Sequence, residues 1–356
     1  MNILLFLYQD TFVGGAENVL KQIANHYALR GDNVYVLFLR EKKYGHWEIC
    51  GEEKLHLYYG RGIIGLFSNL YKLHQIKFSY SFSSLVDLTG ILGIIKRLHI
   101  LKIKKMVGRE STAIFDRYTG IGLWRKKVMY RMGYPAVDVL ICQTSYMKEQ
   151  LLHHLPWIER KSKVVVIPNP VDMNTMKVKG EEVKDKATDY PYIVTAGRFI
   201  PEKGYDLLID SFARIKNGHP DLHLVILGDG NLRESYEAQI AKYGLKDCIH
   251  MPGFSKNVYP WFKEARLCVI SSRVEGFPNV LLQMMSQNTR VVSTLCAGDI
   301  DKIKGLQTCL PNSVDALTET IEKVLKETYV ETNRQLFDEV LRRRSIEAFM
   351  EIVETS

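Results

Sequence analysis

Ala196-Gly197-Arg198-Phe199-Ile200-Pro201-Glu202-Lys203-Gly204 joins a predicted strand, Tyr192 to Ala196, to a predicted helix, Tyr205 to Ile215. Such a loop stands at the carboxyl edge of a parallel sheet, where open α/β folds bind ligands. Its two cations, Arg198 and Lys203, are five residues apart. They can hold a diphosphate and offset the negative charge that grows as it leaves. The alternative is a surface loop with two solvated cations. A second strand-to-helix junction reads Ser271-Ser272-Arg273-Val274-Glu275-Gly276-Phe277-Pro278-Asn279-Val280-Leu281-Leu282-Gln283. Gly276 permits an unusual turn, and the amides of Asn279, Val280 and Leu281 at the helix start suit an anion. Glu275 can accept hydrogen bonds from sugar hydroxyls beside it. Alone this junction reads equally as a capped helix; paired with the Arg/Lys loop, it points to a ligand.

The α/β rhythm extends outward from these loops. In the second half Leu222 to Leu227, Leu267 to Ser271 and Val291 to Thr294 read as strands, and Val280 to Met285 as the start of a helix. In the first half Ile3 to Tyr8 is an apolar run ended by the turn Val13-Gly14-Gly15-Ala16-Glu17. Val19, Leu20, Ile23, Ala24, Tyr27 and Ala28 then recur at helical spacing up to Gly31, and Val34 to Leu39 is a strand. That β-α-β unit implies a parallel sheet, because a parallel partner needs a crossover. Lys104 to Val107, Val137 to Gln143 and Val164 to Ile167 add strands. Asp172 to Asp189 is poor in apolar residues and reads as a solvated linker, and Val324 to Val353 is helical by pattern.

The chain's 356 residues favour two domains over one. The expected architecture is α/β: two Rossmann-like domains whose parallel sheets face each other across a cleft. The expected boundaries are 1–175 for an N-terminal Rossmann-like domain, 190–335 for a C-terminal Rossmann-like domain, and 336–356 for a helix able to return to the N-domain.

Hydrophobic residues make 46% and charged residues 25% of the chain, which excludes a mainly disordered, collagenous or polytopic membrane protein. The six cysteines show no C-x-x-C pair and no zinc-ligand spacing, which suits a reduced, cytoplasmic protein. The apolar N-terminus lacks a basic flank and reads as a buried strand rather than a signal peptide. No charge-free run reaches the roughly 18 residues of a membrane span. Asp299-Ile300-Asp301, the one Asp-x-Asp spacing, follows a late strand and reads as a solvated turn. His153-His154 has no carboxylate at ligand spacing, so no essential metal and no separate cofactor are expected.

Taken together, the two quoted junctions resemble the family 4 retaining glycosyltransferases of the GT-B fold. Other segments agree: Gly14-Gly15-Ala16-Glu17 resembles that family's first N-domain loop, Val139 to Ser145 its "V-C-x-S" strand, and Ile167-Pro168-Asn169-Pro170-Val171-Asp172 its lead into the linker. The Leu227-Gly228-Asp229-Gly230 turn and Met251-Pro252-Gly253-Phe254 resemble its nucleotide pocket. The resemblance implies that Arg198 and Lys203 grip the donor diphosphate and that the Gly15 amide approaches the distal phosphate as the cleft closes. It also implies that Glu275 binds donor-sugar hydroxyls, and that Gly228, Gly253, Phe254, Phe277, Pro278, Asn279 and Val280 line the donor site.

Two positions depart from the family pattern. Gln283 stands where a second Glu usually contacts the ribose; an amide can still hydrogen-bond, without the charge-assisted component. Arg109-Glu110 stands where a His or Asp is common. Arg109 is expected to stabilise a leaving or acceptor phosphate and Glu110 to orient the acceptor hydroxyl, the alternative being a surface pair worth little energetically.

The net charge of +8 is unevenly spread. From Gly60 to Pro135 fourteen Lys and Arg face three carboxylates, a net of +11, which leaves the rest at −3. Gly60 to Phe78, Ile91 to Met106 and Ile121 to Met132 concentrate it. In the last, Leu123, Trp124, Val128 and Met132 share a face beside Arg125, Lys126, Lys127 and Arg131. Ile94, Leu98 and Leu101 repeat the mixture. Apolar stripes flanked by cations suit helices lying in an anionic membrane interface, the alternative being packed core with solvated charges. Nucleic acid is not expected, since no binding motif accompanies the charge.

The resulting expectation is a retaining enzyme that moves a hexosyl or N-acetylhexosaminyl group from a nucleotide sugar, UDP-linked, to a polyprenyl-diphosphate-linked glycan in bacterial polysaccharide biosynthesis such as O-antigen or capsule. It would be cytoplasmic and peripheral on the inner membrane face. A nucleotide-sugar epimerase of the same fold and a non-catalytic sugar-nucleotide-binding partner are the rivals.

Overall fold

The computed structural model describes residues 1–10, 15–40, 47, 52–185, 188–327 and 332–356. Val13, Gly14 and Cys50 lie outside the described residues. The chain divides into two compact units, Met1–Pro170 with Ile346–Ser356, and Val171–Ser345.

The first unit runs β1 (Asn2–Leu7), α1 (Gly15–Leu29), β2 (Asn33–Phe38), β3 (Leu55–Tyr59), α2 (Gly62–Leu73), β4 (Lys77–Ser84) and α3 (Val86–Arg97). It continues through β5 (Lys102–Arg109), α4 (Ile114–Arg117), α5 (Gly120–Gly133), β6 (Val139–Cys142), α6 (Ser145–His154) and β7 (Lys163–Val166). Its seven strands lie in the order β3-β2-β1-β4-β5-β6-β7, all pairs parallel. Central β1 is covered on both faces, with Ile3, Leu5 and Leu7 in one core cluster and Leu4 and Phe6 in the other. Helix α1 buries Val19, Leu20, Ile23, Ala24, Tyr27 and Ala28, the apolar set its spacing predicts. Burying a large apolar side chain contributes about 1.5–3 kcal/mol against tenths for helix propensity, so packing decides this helix. Helices α3 and α5 meet backbone to backbone: a Cβ on Gly93 would fall 2.1 Å from the Gly133 carbonyl oxygen.

The second unit runs α7 (Met173–Gly180), β8 (Tyr192–Ala196), α8 (Tyr205–Ile215), β9 (His223–Leu227), α9 (Arg233–Lys242), β10 (Ile249–Gly253) and α10 (Tyr259–Glu264). It continues through β11 (Leu267–Ile270), α11 (Asn279–Gln287), β12 (Val291–Thr294), β13 (Gln307–Cys309), α12 (Val314–Lys326) and α13 (Thr332–Arg342). Its strand order is β10-β9-β8-β11-β12-β13, again parallel. Sequence order reverses between neighbours β8 and β11. The loops that follow these two strands therefore flank a topological switch point, the usual ligand position of a doubly wound sheet.

Three sequence expectations change. The segment read as a linker holds α7, capped by the Asp172 carboxylate on the Thr175 amide at 2.9 Å and packed through Met176 into the second unit's core. The division falls at Pro170/Val171, upstream of the expected 175 and 190. The C-terminal helix is two helices, of which α13 belongs to the second unit and α14 (Ile346–Thr355) to the first. There Phe349, Met350 and Val353 pack in the same cluster as the buried face of α1.

The basic stretches are also rearranged. Ile91 to Met106 is no single amphipathic helix: α3 ends at Arg97, and Lys102–Arg109 is strand β5, with Leu101 and Met106 in the core. On α5, Leu123 packs against the core, whereas Ile121 and Trp124 are 80% and 64% exposed beside exposed Arg125, Lys127 and Arg131. Helix α2 presents Ile64, Phe67 and Tyr71, exposed by 85%, 61% and 77% at i, i+3 and i+7 of one face. No helix among the described residues is long and apolar enough to cross a membrane.

Candidate functional site

Strand β8 delivers Gly197-Arg198-Phe199 and the short 3-10 turn Pro201–Lys203, which Gly204 closes in the left-handed region (φ 62°) before α8 begins. Glycine is needed there twice over, for its φ and for space: a Cβ would meet the Ser271 carbonyl oxygen at 2.3 Å. Phe199 is fully buried and anchors the loop, while Arg198 beside it is exposed. The Lys203 ammonium lies over Gly197, close enough that a Cβ there would be 3.4 Å from Nζ, and Nζ donates to Glu275 Oε1 at 2.7 Å.

Glu275 comes from the loop after β11. Its amide donates to the Cys296 carbonyl at 2.7 Å, and the Ser272 hydroxyl donates to Oε1 at 3.0 Å. Both partners of the Lys203–Glu275 pair are mostly but not fully covered, at 15% and 19% side-chain exposure. The structure thus brings three sequence-singled residues, Arg198, Lys203 and Glu275, to the same switch point.

The neighbouring turns are laced through their backbones. The Gly197 amide donates to Leu227 O at 2.9 Å, the Phe199 amide to Asp229 O at 2.9 Å, and the Gly228 amide to Gly253 O at 2.8 Å. This brings Gly228 and Gly253 into the same edge, with Phe254 beyond them exposed by 68%. A flat aromatic left in water beside a polar loop suits the face of a nucleotide base.

Helix α11 starts at Asn279 with Pro278 as its N-cap. The Leu281 amide, expected as one of three anion donors, is already given to Pro278 O at 2.9 Å, so the first turn offers fewer donors than the sequence suggests. Gln283 is half-buried, and its Nε2 donates to the Tyr259 hydroxyl at 3.3 Å. Phe277 is buried, with the Arg344 guanidinium 4.6 Å from its ring centre. Burial lowers Arg344 to a pKa of about 10, with Asp299 opposing, and its Nη1 has no hydrogen-bond partner among the described residues. Arg344, about seventy residues beyond the Glu275 loop, carried no sequence signal.

In the first unit, Arg109 and Glu110 are not the surface pair of the alternative reading. Neither is a surface residue; both are about 3% exposed. Arg109 Nη1 donates to Ser84 Oγ at 3.2 Å and Nη2 to Asn169 Oδ1; Asn169 in turn donates to Gln143 Oε1 at 2.9 Å. Its Nε has no hydrogen-bond partner among the described residues. Burial lowers its pKa to about 10, opposed by Glu17 and Glu110. Glu110 is turned into the core: Oε2 accepts from Tyr130 at 2.8 Å and Oε1 from Tyr134 at 2.6 Å. Burial raises its pKa against those hydrogen bonds. Both carboxylate oxygens are thereby committed to tyrosine hydroxyls, and the expected contact with an acceptor hydroxyl is corrected to an internal one.

Gly15 is the exposed first residue of α1. Asp10, which the sequence reading passed over, is fully buried; Oδ2 accepts from Tyr59 at 3.0 Å, and Oδ1 is unpartnered among the described residues. Asp299 lies in a turn, paired with Lys302 at 2.5 Å. Among the described residues no three His, Cys, Asp or Glu side chains gather as metal ligands would.

Two family models match the chain, Glycosyltransferase Family 4 over residues 13–175 and Glycosyl transferases group 1 over residues 178–339. An uncharacterized glycosyltransferase of Methanocaldococcus jannaschii is 31% identical over 182 residues, 49% of this chain and 44% of that protein. The N-acetylgalactosamine-N,N'-diacetylbacillosaminyl-diphospho-undecaprenol 4-alpha-N-acetylgalactosaminyltransferase of Campylobacter jejuni is 29% identical over 168 residues, 47% of this chain and 44% of that protein. The chain thus spans about half the length of the curated relatives it matches. Among solved structures, Anabaena HepE in complex with UDP aligns with a TM-score of 0.77 at 16% identity, covering 100% of this chain and 99% of that one. That likeness gives the fold.

Proposed function

The chain belongs to the family 4-type glycosyltransferases of the GT-B fold, and on that premise we propose that it transfers a hexosyl or N-acetylhexosaminyl group from a UDP-linked sugar with retention of configuration. The acceptor is a hydroxyl of a polyprenyl-diphosphate-linked glycan in bacterial polysaccharide or lipopolysaccharide synthesis. The observation that carries the reading is the convergence of Lys203, Glu275 and Arg198 on the β8/β11 switch point. Two cations there meet the diphosphate, and a carboxylate fixed by Ser272 and Lys203 meets the sugar hydroxyls.

In the proposed reaction the bond from the anomeric carbon to the diphosphate oxygen breaks as the acceptor oxygen bonds to that carbon on the same face. The acceptor's proton passes to a departing diphosphate oxygen. Arg198 and Lys203 stabilise the charge that accumulates on the leaving group, so most of the acceleration is positioning and electrostatics. No cofactor beyond the nucleotide sugar is invoked. The name of the Campylobacter relative, which specifies a diphospho-undecaprenol acceptor, supports the lipid-linked substrate.

A lipid-borne acceptor also gives a use to the exposed faces of α2 and α5. Ile64, Phe67 and Tyr71 beside Arg61 and Lys72, and Ile121 and Trp124 beside Arg125 and Lys127, suit peripheral contact with the anionic inner membrane face.

Incubation with a panel of nucleotide sugars and a bacterial lipid extract tests the proposal. Release of nucleoside diphosphate together with an extended lipid-linked glycan supports it. An altered free sugar nucleotide would make the protein an epimerase, and binding without turnover a non-catalytic partner.

A further inference from the structure

Resting on that reading of the donor site, we propose that Arg273 is a positioning residue that sets Lys203 against Glu275. The segment Ser271–Arg273 holds three successive carbonyls of the Pro201–Lys203 turn. Arg273 Nη1 donates to Pro201 O at 2.9 Å, the Arg273 amide to Glu202 O at 2.7 Å, and Ser271 Oγ to Lys203 O at 3.0 Å. The same guanidinium closes a two-pronged pair with Asp206 in the first turn of α8, Nη1 to Oδ1 at 2.8 Å and Nη2 to Oδ2 at 2.6 Å. One side chain therefore grips the turn at its start and the helix just beyond its end. Its own backbone is two residues from Glu275.

The Lys203 ammonium sits at the end of a flexible four-carbon stem, and its stem root is the only part the turn controls. With all three carbonyls accepting from the 271–273 segment, that root is tied to the Glu275 loop as well as to its own turn, where the Lys203 amide donates to Ile200 O at 3.1 Å. The planar fork of Arg273 is what permits simultaneous bonds to Pro201 O and both Asp206 oxygens; a lysine retains the charge and loses the fork. Arg273 has no place in the expected donor contacts, so its effect on binding is exerted through Lys203.

The test is a double-mutant cycle in the full-length protein, read by calorimetric titration with UDP, GDP, ADP and dTDP. Arg273→Lys is expected to weaken the nucleotide that wild type binds by about 10-fold and Arg273→Ala by more, since a displaced Lys203 loses much of a charge-assisted hydrogen bond, which is worth about 10-fold or more. The pair with Asp206 is partly exposed, so melting should fall by no more than about 4 °C. In a Lys203→Ala background Arg273→Lys should change the affinity by less than about 2-fold, because the two residues act as one unit. Equal losses in both backgrounds, or an Arg273→Lys protein that binds like wild type while Lys203→Ala does not, overturn the proposal and leave the donor site standing. A wild-type protein that binds none of the four nucleotides overturns both.

Discussion

The Lys203 ammonium lies 2.7 Å from Oε1 of Glu275, the oxygen that also accepts from Ser272 at 3.0 Å. On the proposed reading a cation for a diphosphate is thus tied to a carboxylate for a sugar, and the two would have opposite effects on an anionic ligand: Lys203 would attract the diphosphate, and Glu275 would repel it while holding the lysine in place. Substitutions at the two residues should therefore separate nucleotide affinity from turnover.

Lys203→Ala should lose both, with kcat/KM down about 100-fold or more, the usual cost of one preorganised donor to a developing anion. Glu275→Gln should bind UDP at least as tightly as wild type, since a negative charge beside the diphosphate is removed, while kcat falls by a similar factor. Titration with UDP and initial-rate measurements check the pair. Parallel losses of UDP affinity in both variants would mean that Glu275 does not sit beside the diphosphate.

Gln283 gives its Nε2 to Tyr259, which leaves Oε1 as the atom able to accept from a ribose hydroxyl. Gln283→Glu should tighten UDP by about 3- to 10-fold through a charge-assisted bond, and Gln283→Ala should weaken it. Unchanged affinity in both would remove this residue from the ribose contact.

Glu110 supplies a pH signature separate from the donor site. Its carboxyl is raised above the ordinary 4.5, first by burial and against the hydrogen bonds from Tyr134 and Tyr130. A carboxyl that holds its proton more tightly in the folded state adds stability that is present below 4.5 and lost as pH rises through the raised value. Glu110→Gln does not titrate, so as pH rises above 4.5 the wild type should lose stability relative to the variant. Melting curves of both proteins across that range check this, and a difference independent of pH counts against it.

The exposed faces of α2 and α5 should matter for membranes and not for folding. Phe67→Ser with Trp124→Ser should leave melting unchanged within about 2 °C, because solvent-exposed substitutions stay near 0.5 kcal/mol. Sedimentation with anionic vesicles at low salt should fall severalfold. Equal sedimentation of variant and wild type would detach these faces from the membrane reading.

Gly93→Ala tests the packing of the first unit. The new methyl would sit 2.1 Å from Gly133 O, backbone that cannot step aside cheaply. Overpacking of this kind costs about 1–3 kcal/mol, visible as an earlier melting transition.

The α/β rhythm and the donor loops were legible in the sequence because their signals are local. A short apolar run, a Gly-rich turn and a helical stripe are read within twenty residues, and β1, α1, β8 and α8 follow them closely. Strand β4 was not legible. Lys77-Phe78-Ser79-Tyr80-Ser81-Phe82-Ser83-Ser84 alternates aromatic and serine, yet Ser81 and Ser83 are as buried as the rings, with Ser83 Oγ donating to Thr89 Oγ1 at 3.0 Å. Its small polar side chains disguise a strand covered on both faces. The linker reading failed for a related reason: α7 needs only an Asp172 cap and one buried Met176 to hold a turn-rich, charged segment as helix.

The site residues divide in the same way. Arg198, Lys203 and Glu275 announce themselves by loop position. The destination of Arg109 and Glu110 depends on Ser84, Asn169, Tyr130 and Tyr134, twenty to sixty residues away, which turn an apparent surface pair into buried polar groups. Arg273 lay within a quoted motif but gained meaning only when Asp206 and the Pro201 carbonyl appeared beside it.

The central claim, that the loops after β8 and β11 hold the donor's diphosphate, is tested most directly by a crystal structure of the protein with UDP bound. The expected result is diphosphate oxygens within hydrogen-bond distance of Lys203 Nζ and the Arg198 guanidinium, with the base beside Gly253 and Phe254. UDP bound elsewhere, with Lys203 and Arg198 both remote from its phosphates, would contradict the account.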